Sequence, residues 1–453
     1  MNTTKEKKAF FKTTTARMLM IGLLIMVLLV PLTYIQSLIR ERAFRQNGVV
    51  QEINEKWGNK VLLYGPILKI PYKTYEETII YNDETKSSSK EKKVSTEYAY
   101  FFPELLQSDT RVDSESLHRN NFETVVYTSA MDIKGHFTMP DFQQKDIKEE
   151  DIIWDKASII IKTSNLKGIK NEVVLTMGTN DYRFEPTFNQ NKRNNNQLKL
   201  DVLESGHISS EDIPKANAVN FAMKLNYNGS ESIKFVPIGK TTAISMTSDW
   251  HSPSFTGSYL PDDKTKEITP NGFKANWKVL HINRPFSQYA FKRLPGLRDY
   301  AFGVDLILPI DEYQKSERSA KYGYLVIALT FLIFFLIQTM SKVNIHPFQY
   351  LMIGLALTMF YTLLISISEH SSFLKAYLIA TISVVALITA YSKTILKKLK
   401  FPLLVGSSLT ALYAFIFVII QLENYALLVG SIGLFFILGT VMFASRKIDW
   451  NHD

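Results

Sequence analysis

Residues 309–350, PIDEYQKSERSAKYGYLVIALTFLIFFLIQTMSKVNIHPFQY, pass from a charged segment directly into an apolar one. Residues 322–339 carry no charge, close to the roughly 20 apolar residues that cross a hydrocarbon core about 30 Å thick. The stretch reads as a membrane helix. Just ahead of it, Asp311 stands four residues before Lys315 and Glu317 four before Lys321, which places acid and base on one helical face. With Pro309 marking the start, this spacing predicts a helix that begins in water near Asp311 and runs straight into the bilayer. Upstream the chain is mainly polar, and downstream it is mainly apolar.

The mean hydropathy of −0.03 over 453 residues is therefore an average of two unlike halves. The absence of cysteine excludes disulfides and thiolate metal sites. A formal charge of +9 raises nucleic acid as a partner, but the bases stand where membrane topology places them. Residues 1–17 form a basic start containing Lys5, Lys7, Lys8, Lys12 and Arg17, followed by an apolar run over residues 18–39. This run is longer than the roughly 7 to 15 residues of a signal-peptide core, and no A-x-A-like site follows it. It reads as an uncleaved transmembrane anchor. Apolar runs at 322–340, 347–367, 376–391, 402–420 and 425–444 add five C-terminal spans, so six transmembrane α-helices are expected.

On one side of these spans the connections carry Lys342, Lys393, Lys397, Lys398, Lys400, Arg446 and Lys447, the same side as the basic start. The other side carries Glu369 and Glu423, with Lys375 as its base. The asymmetry predicts both termini in the cytoplasm, a five-helix bundle over 321–445, a short cytoplasmic tail over 446–453, and residues 40–320 outside. Arg40, Arg42 and Arg45 run against it, beside a long translocated region where the rule is lax.

Residues 40–56, RERAFRQNGVVQEINEK, predict a helical stalk continuing out of the anchor, paired with a second stalk containing Asp311, Lys315, Glu317, Arg318 and Lys321. Between the stalks the period changes to that of strands, with β-branched and aromatic runs at 61–70, 94–102, 124–137, 158–161, 172–176, 198–203, 216–227, 232–236, 241–247, 272–280 and 300–308. Gly65-Pro66 is read as a bend dividing the first run, and Asn228-Gly229 as a tight hairpin turn. Two polar segments, 82–93 and 189–197, are expected to be poorly ordered hairpin tips. The pattern predicts an antiparallel β-rich, sandwich-like domain.

Catalytic signatures are missing from the sequence. None of the eight histidines lies three to five residues from another, and neither a G-x-S-x-G elbow nor a phosphate loop occurs. No cofactor is expected. The most unusual polar stretch, TSDWHSPSFTGSYLP at 247–261, brings Asp249, His251 and Ser254 together in sequence, but a triad is made in space. Trp250, Phe255, Tyr259 and Trp277 are expected to support this loop, and with Asp249 and His251 they form the candidate site for a ligand or partner. Glu369 and His370, at the outer end of a span, form a candidate membrane-interface pair. The span interiors lack the ionisable groups a transporter would use. Gly354 with Thr358, and Gly406 with Thr410 and Ala414, suit close helix packing.

Five ordered stretches carry a resemblance that runs nearly end to end. They are LIRERAFRQ (38–46) with YGPILKIP (64–71), FVPIGKTT (235–242) with SDWHSPSFTGSYLP (248–261), GFKANW (272–277), residues 309–335 with HPFQYLMIGLALTMFYTLLISISEH (346–370), and residues 422–450. Together they resemble the CreD family of bacterial inner-membrane proteins. Where members often carry an acid near the end of the second span, this chain has Gln338. The resemblance implies an inner-membrane protein with a large periplasmic domain, linked to two-component stress responses, colicin tolerance, β-lactam sensitivity and cell-envelope integrity. It implies no catalytic residues. The leading expectation is a non-enzymatic protein that binds an envelope component or a membrane partner through its β domain, with membrane lipids around its spans. The alternative is a transporter or lipid-handling protein built on the C-terminal bundle, and an envelope-modifying hydrolase is the remaining reading.

Overall fold

A computed structural model describes residues 14–82, 87–119, 122–187, 200–215, 217–306, 312–341, 343–396, 398–422 and 425–446. Asp311, the segment 189–197, and the bases Lys5, Lys7, Lys8, Lys12, Lys342, Lys397 and Lys447 lie outside them, as does Glu423. The chain divides into two compact units, Met1–Gly48 with Ile310–Asp453, and Val49–Pro309.

The first unit is helical. Helix α1 (Thr14–Trp57) is followed, after the β-rich unit, by α2 (Glu312–Lys321), α3 (Gly323–Ser341), α4 (Pro347–Ser368), α5 (Phe373–Ile395), α6 (Lys400–Gln421) and α7 (Ala426–Ser445). Six of these, α1 and α3 to α7, are long and apolar enough to cross a membrane, one at the N-terminal end and five at the C-terminal end, as the hydropathy predicts. In α1, Ile21, Leu28, Leu32, Ile35 and Ile39 are buried at helical spacing and form one apolar stripe. Glycine lets neighbours approach that stripe. A Cβ on Gly354 would come within 2.1 Å of Leu28, and one on Gly323 within 2.7 Å of Leu32.

The entry into α3 is broken, where the charge spacing suggested a straight helix. Helix α2 ends at Lys321, the Tyr322 amide donates to the Ser319 carbonyl at 3.1 Å, and α3 starts again at Gly323. At the restart Gly323 packs closely on Leu32 of α1. Nor does α2 stand free as a stalk. Its Tyr313, Ser316, Ser319 and Ala320 are buried, and it packs against α4 and α6 within the helical unit.

The second unit is a β structure. It begins with residues 49–57 of α1, where Asn54 is buried, donates to Glu231 at 2.5 Å and accepts from Thr124 at 3.2 Å. Its strands are β1 (Val61–Asn82), β2 (Ser87–Phe101), β3 (Leu105–Arg119), β4 (Phe122–Phe137), β5 (Ser158–Thr163), β6 (Val174–Met177), β7 (Asn180–Thr187), β8 (Asp201–Ser205), β9 (Val219–Ser230), β10 (Ser232–Phe235), β11 (Thr241–Ser248), β12 (Pro253–Gly257), β13 (Glu267–Thr269), β14 (Gly272–Leu280), β15 (Tyr289–Phe291) and β16 (Phe302–Leu306). One sheet runs β12-β16-β10-β1-β5-β8-β7, with β2 pairing β1 and β15 pairing β2, the other runs β6-β9-β4-β3-β11-β14-β13, and β6 pairs with β7 where they meet. Antiparallel pairing dominates, and β1 with β10 and β3 with β11 are parallel. One core joins both sheets. Trp277 of β14 packs on Phe302 of β16 at 5.8 Å between ring centres, and the Tyr227 hydroxyl of β9 donates to Thr163 of β5 at 3.0 Å.

Three local expectations are corrected. Asn228-Gly229 is not a turn but lies inside β9, opposite Thr128 and Tyr127 of β4, and the chain changes sheet after Ser230, at Glu231 with φ 61°. The run at 61–70 is one strand, and the expected bend is a register shift between Tyr64 and Ile67. The charged segment at 82–93 is largely strand, since Asn82 of β1 pairs with Ser87 of β2 and the ladder continues from there. Backbone hydrogen bonds are indifferent to side-chain charge, so composition misled there.

Candidate functional site

Strand β11 ends at Ser248, and the loop after it is fastened by Asp249, whose Oδ1 accepts from the Ser114 amide at 2.8 Å and the Ser114 hydroxyl at 2.7 Å. Trp250 is buried, and its indole N–H donates to the Ser252 carbonyl at 3.0 Å. His251 is exposed, with its ring 5.1 Å from that of Trp250. Ser254 lies in β12 opposite Asp305, which accepts from Thr256 at 2.8 Å and pairs with Lys234 at 2.9 Å. Among the described residues no hydrogen bond joins Asp249, His251 and Ser254, and no cluster of His, Asp and Glu has the form of a metal site.

The aromatic residues of this stretch turn inward. Phe255 meets Phe273 edge-on at 5.6 Å and Trp277 at 5.7 Å, and Trp277 is itself buried. Gly257, at φ 105°, is required where a Cβ would come within 2.2 Å of the Ala301 carbonyl oxygen. Tyr259 packs edge-on against Phe302 at 5.9 Å, and its hydroxyl donates to the Asn283 carbonyl at 3.0 Å. Burial raises the Tyr259 phenol above its usual range.

Three apolar side chains are exposed on either side of that last hydrogen bond. Leu260 is 72% exposed, Ile282 is 79% exposed and Leu280 is 39% exposed, and the Leu280 amide donates to the Asn283 side chain at 3.1 Å. The sequence reading missed Leu280 and Ile282. Their signal was two apolar residues in a polar turn, LHINRP, following a strand whose inward set had already been filled. Beneath them Arg284 is buried. It donates to the Phe286 carbonyl at 3.3 Å and to the Gln288 side chain, and its guanidinium lies 4.3 Å from the Phe286 ring centre. Burial lowers its pKa to about 10, and no carboxylate among the described residues pairs with it. Gln288 donates onward to the carbonyls of Pro103 at 2.7 Å and Ile238 at 3.2 Å, so the patch rests on a braced base.

In the helical unit, the candidate stalk residues meet partners of their own. Glu317 pairs with Arg40 at 3.3 Å and with Lys321 at 3.4 Å, the Lys315 ammonium lies 6.0 Å from the Phe373 ring centre, and Arg318 is partly buried. Glu369 follows the last turn of α4 and pairs with Arg42 at 3.4 Å, while His370 is exposed. Arg40 and Arg42, anomalous for the charge rule, are thus matched by acids. Gln338 is buried and accepts from the Tyr350 hydroxyl at 2.9 Å. A cavity of about 680 Å³ is lined by α3, α6 and α7, and neither Tyr361 nor Glu369 is among its walls.

A family model described as Inner membrane protein CreD matches residues 13–451. The chain is also similar to Inner membrane protein CreD of Escherichia coli (strain K12), with 29% identity over 434 residues that span 94% of this chain and 91% of that protein.

Proposed function

The chain belongs to the CreD family of inner membrane proteins, and on that premise we propose that its β unit faces the periplasm and binds an envelope component or a membrane partner. The observation that carries this reading is the set Leu260, Leu280 and Ile282, apolar side chains exposed on either side of the Tyr259–Asn283 hydrogen bond that braces the turn. Grouped exposed apolar residues on a well-packed domain are a feature of binding surfaces. The role is non-enzymatic and supports envelope integrity. Asp249 serves it by tying the loop to β3, and Trp250, Phe255 and Trp277 by filling the core below, so their contribution to binding is positional. Photocrosslinking from position 282 in intact cells, followed by envelope-stress sensitivity of Ile282→Asp at matched protein level, tests the proposal. A second reading, lipid handling by the helical unit, is favoured by the apolar cavity beside α7.

A further inference from the structure

Helix α7 buries none of its residues, yet it is held against α6 where Gly433 meets Phe415, a contact so close that a Cβ on Gly433 would come within 2.1 Å of the ring. Beside that contact lies a groove of about 680 Å³ walled by α3, α6 and α7, apolar apart from Ser408 and Thr440. Along α3 the lining runs from Leu329 to Met340 and along α7 from Gly433 to Ala444. At 1.5 Å per residue each wall is about 16 Å long, close to half of a hydrocarbon core about 30 Å thick. The groove therefore has the length of one leaflet.

One end of the groove is cationic. Met340 in the last turn of α3, Phe401 in the first turn of α6 and Ala444 in the last turn of α7 line the same end. The Lys400 ammonium sits 5.1 Å from the centre of the Phe401 ring, and Lys398 and Arg446 are exposed beside these termini. No Asp or Glu occurs between His370 and Leu422 to neutralise the two lysines.

We propose that this groove holds an acyl chain of an anionic phospholipid whose phosphate is bound by Lys398, Lys400 and Arg446. A second copy of the chain is the weaker occupant, because a symmetric contact through this face would bring a second set of the same cations to the same end. The bases can extend along the apolar wall and keep their charged heads at headgroup level. Loss of a partner from the β unit would leave this site unchanged.

The test exchanges the full-length protein into nanodiscs containing equal amounts of phosphatidylglycerol and phosphatidylcholine with identical acyl chains, then reads retained lipid by native mass spectrometry. The expected result is one retained phosphatidylglycerol, strongly preferred over phosphatidylcholine. In Lys398→Gln, Lys400→Gln and Arg446→Gln the preference falls by about fivefold for each cation removed. Ala411→Phe, which fills the groove, abolishes retention. Equal retention of both lipids by the unsubstituted protein overturns the proposal, as does full phosphatidylglycerol preference in the triple variant, or a dimer that retains no lipid. Should Ala411→Phe fail to fold, the exposed-charge variants decide the matter alone.

Discussion

At the scale of single residues, Gly229 shows how a short motif acquires its meaning from across the sheet. Its backbone is ordinary strand, but a Cβ there would come within 2.3 Å of the Tyr127 hydroxyl, which is buried and donates to the Ser232 carbonyl at 2.7 Å. Gly229→Val, which suits a strand by propensity, should therefore destabilise the β unit by about 1–3 kcal/mol through overpacking. Tryptophan fluorescence during unfolding reads mainly this unit, because four of the five tryptophans, Trp57, Trp154, Trp250 and Trp277, fall within it and Trp450 belongs to the other. Nothing local in the sequence distinguishes an Asn-Gly turn from a glycine shaped by a tyrosine on the next strand, and the hairpin expectation failed for that reason. Tyrosine also sets a pH limit. Burial pushes the phenols of Tyr227 and Tyr182 up to about 12, with the Asp212 hydrogen bond adding to the shift at Tyr182. Unfolded tyrosine ionises near 10, so these groups contribute stability that is complete below pH 10 and is lost as pH rises toward 12. A titration of phenolate absorbance should show a late class of tyrosines whose ionisation coincides with unfolding, whereas a single transition near pH 10 would contradict the buried hydrogen bonds.

At the scale of elements, the hydropathy alone located the six spans, because an 18-residue apolar window is set by bilayer thickness and needs no tertiary information. Junctions were less legible. At the α2–α3 break Gly323 meets Leu32, which lies far away in sequence, and the burial of Ser316 and Ser319 depends on α4 and α6. Likewise β3 (LLQSDTRVDSESLHR) escaped notice because its inward positions include Ser108 and Thr110, small polar residues that hydrogen-bond one another at 3.1 Å. These packing contacts rank the stability of α2. The Arg40–Glu317 pair is 64% and 31% exposed, so Glu317→Gln should change the thermal midpoint little, within the ~0–1 kcal/mol of exposed pairs. Gly323→Leu should cost more, about 1–3 kcal/mol, by driving a side chain into Leu32 and Tyr361. Helical circular dichroism of the full chain on heating compares the two, and an equal effect would deny the packing role of the break.

At the scale of the whole molecule, the chain is a CreD-family inner membrane protein in which a β unit of two facing sheets is inserted between the first span and the other five. The β character was legible because strands bury alternate residues, while the sheet order, with its two parallel pairs, rests on long-range pairing that periodicity does not encode. Within the candidate loop, the residues singled out from sequence are mostly the inward ones. Trp250 and Trp277 are large and rare, so they drew attention, yet they serve the core, and the exposed face belongs to Leu260, Leu280 and Ile282. Binding through that face is the central claim, and site-specific photocrosslinking in living cells tests it most directly. A crosslinker at position 282 or 260 should give a discrete adduct that disappears with Leu280→Asp, while a crosslinker at exposed Lys224 on β9 should give none. Absence of an adduct at 282 and 260, or the same adduct from Lys224, would contradict the claim.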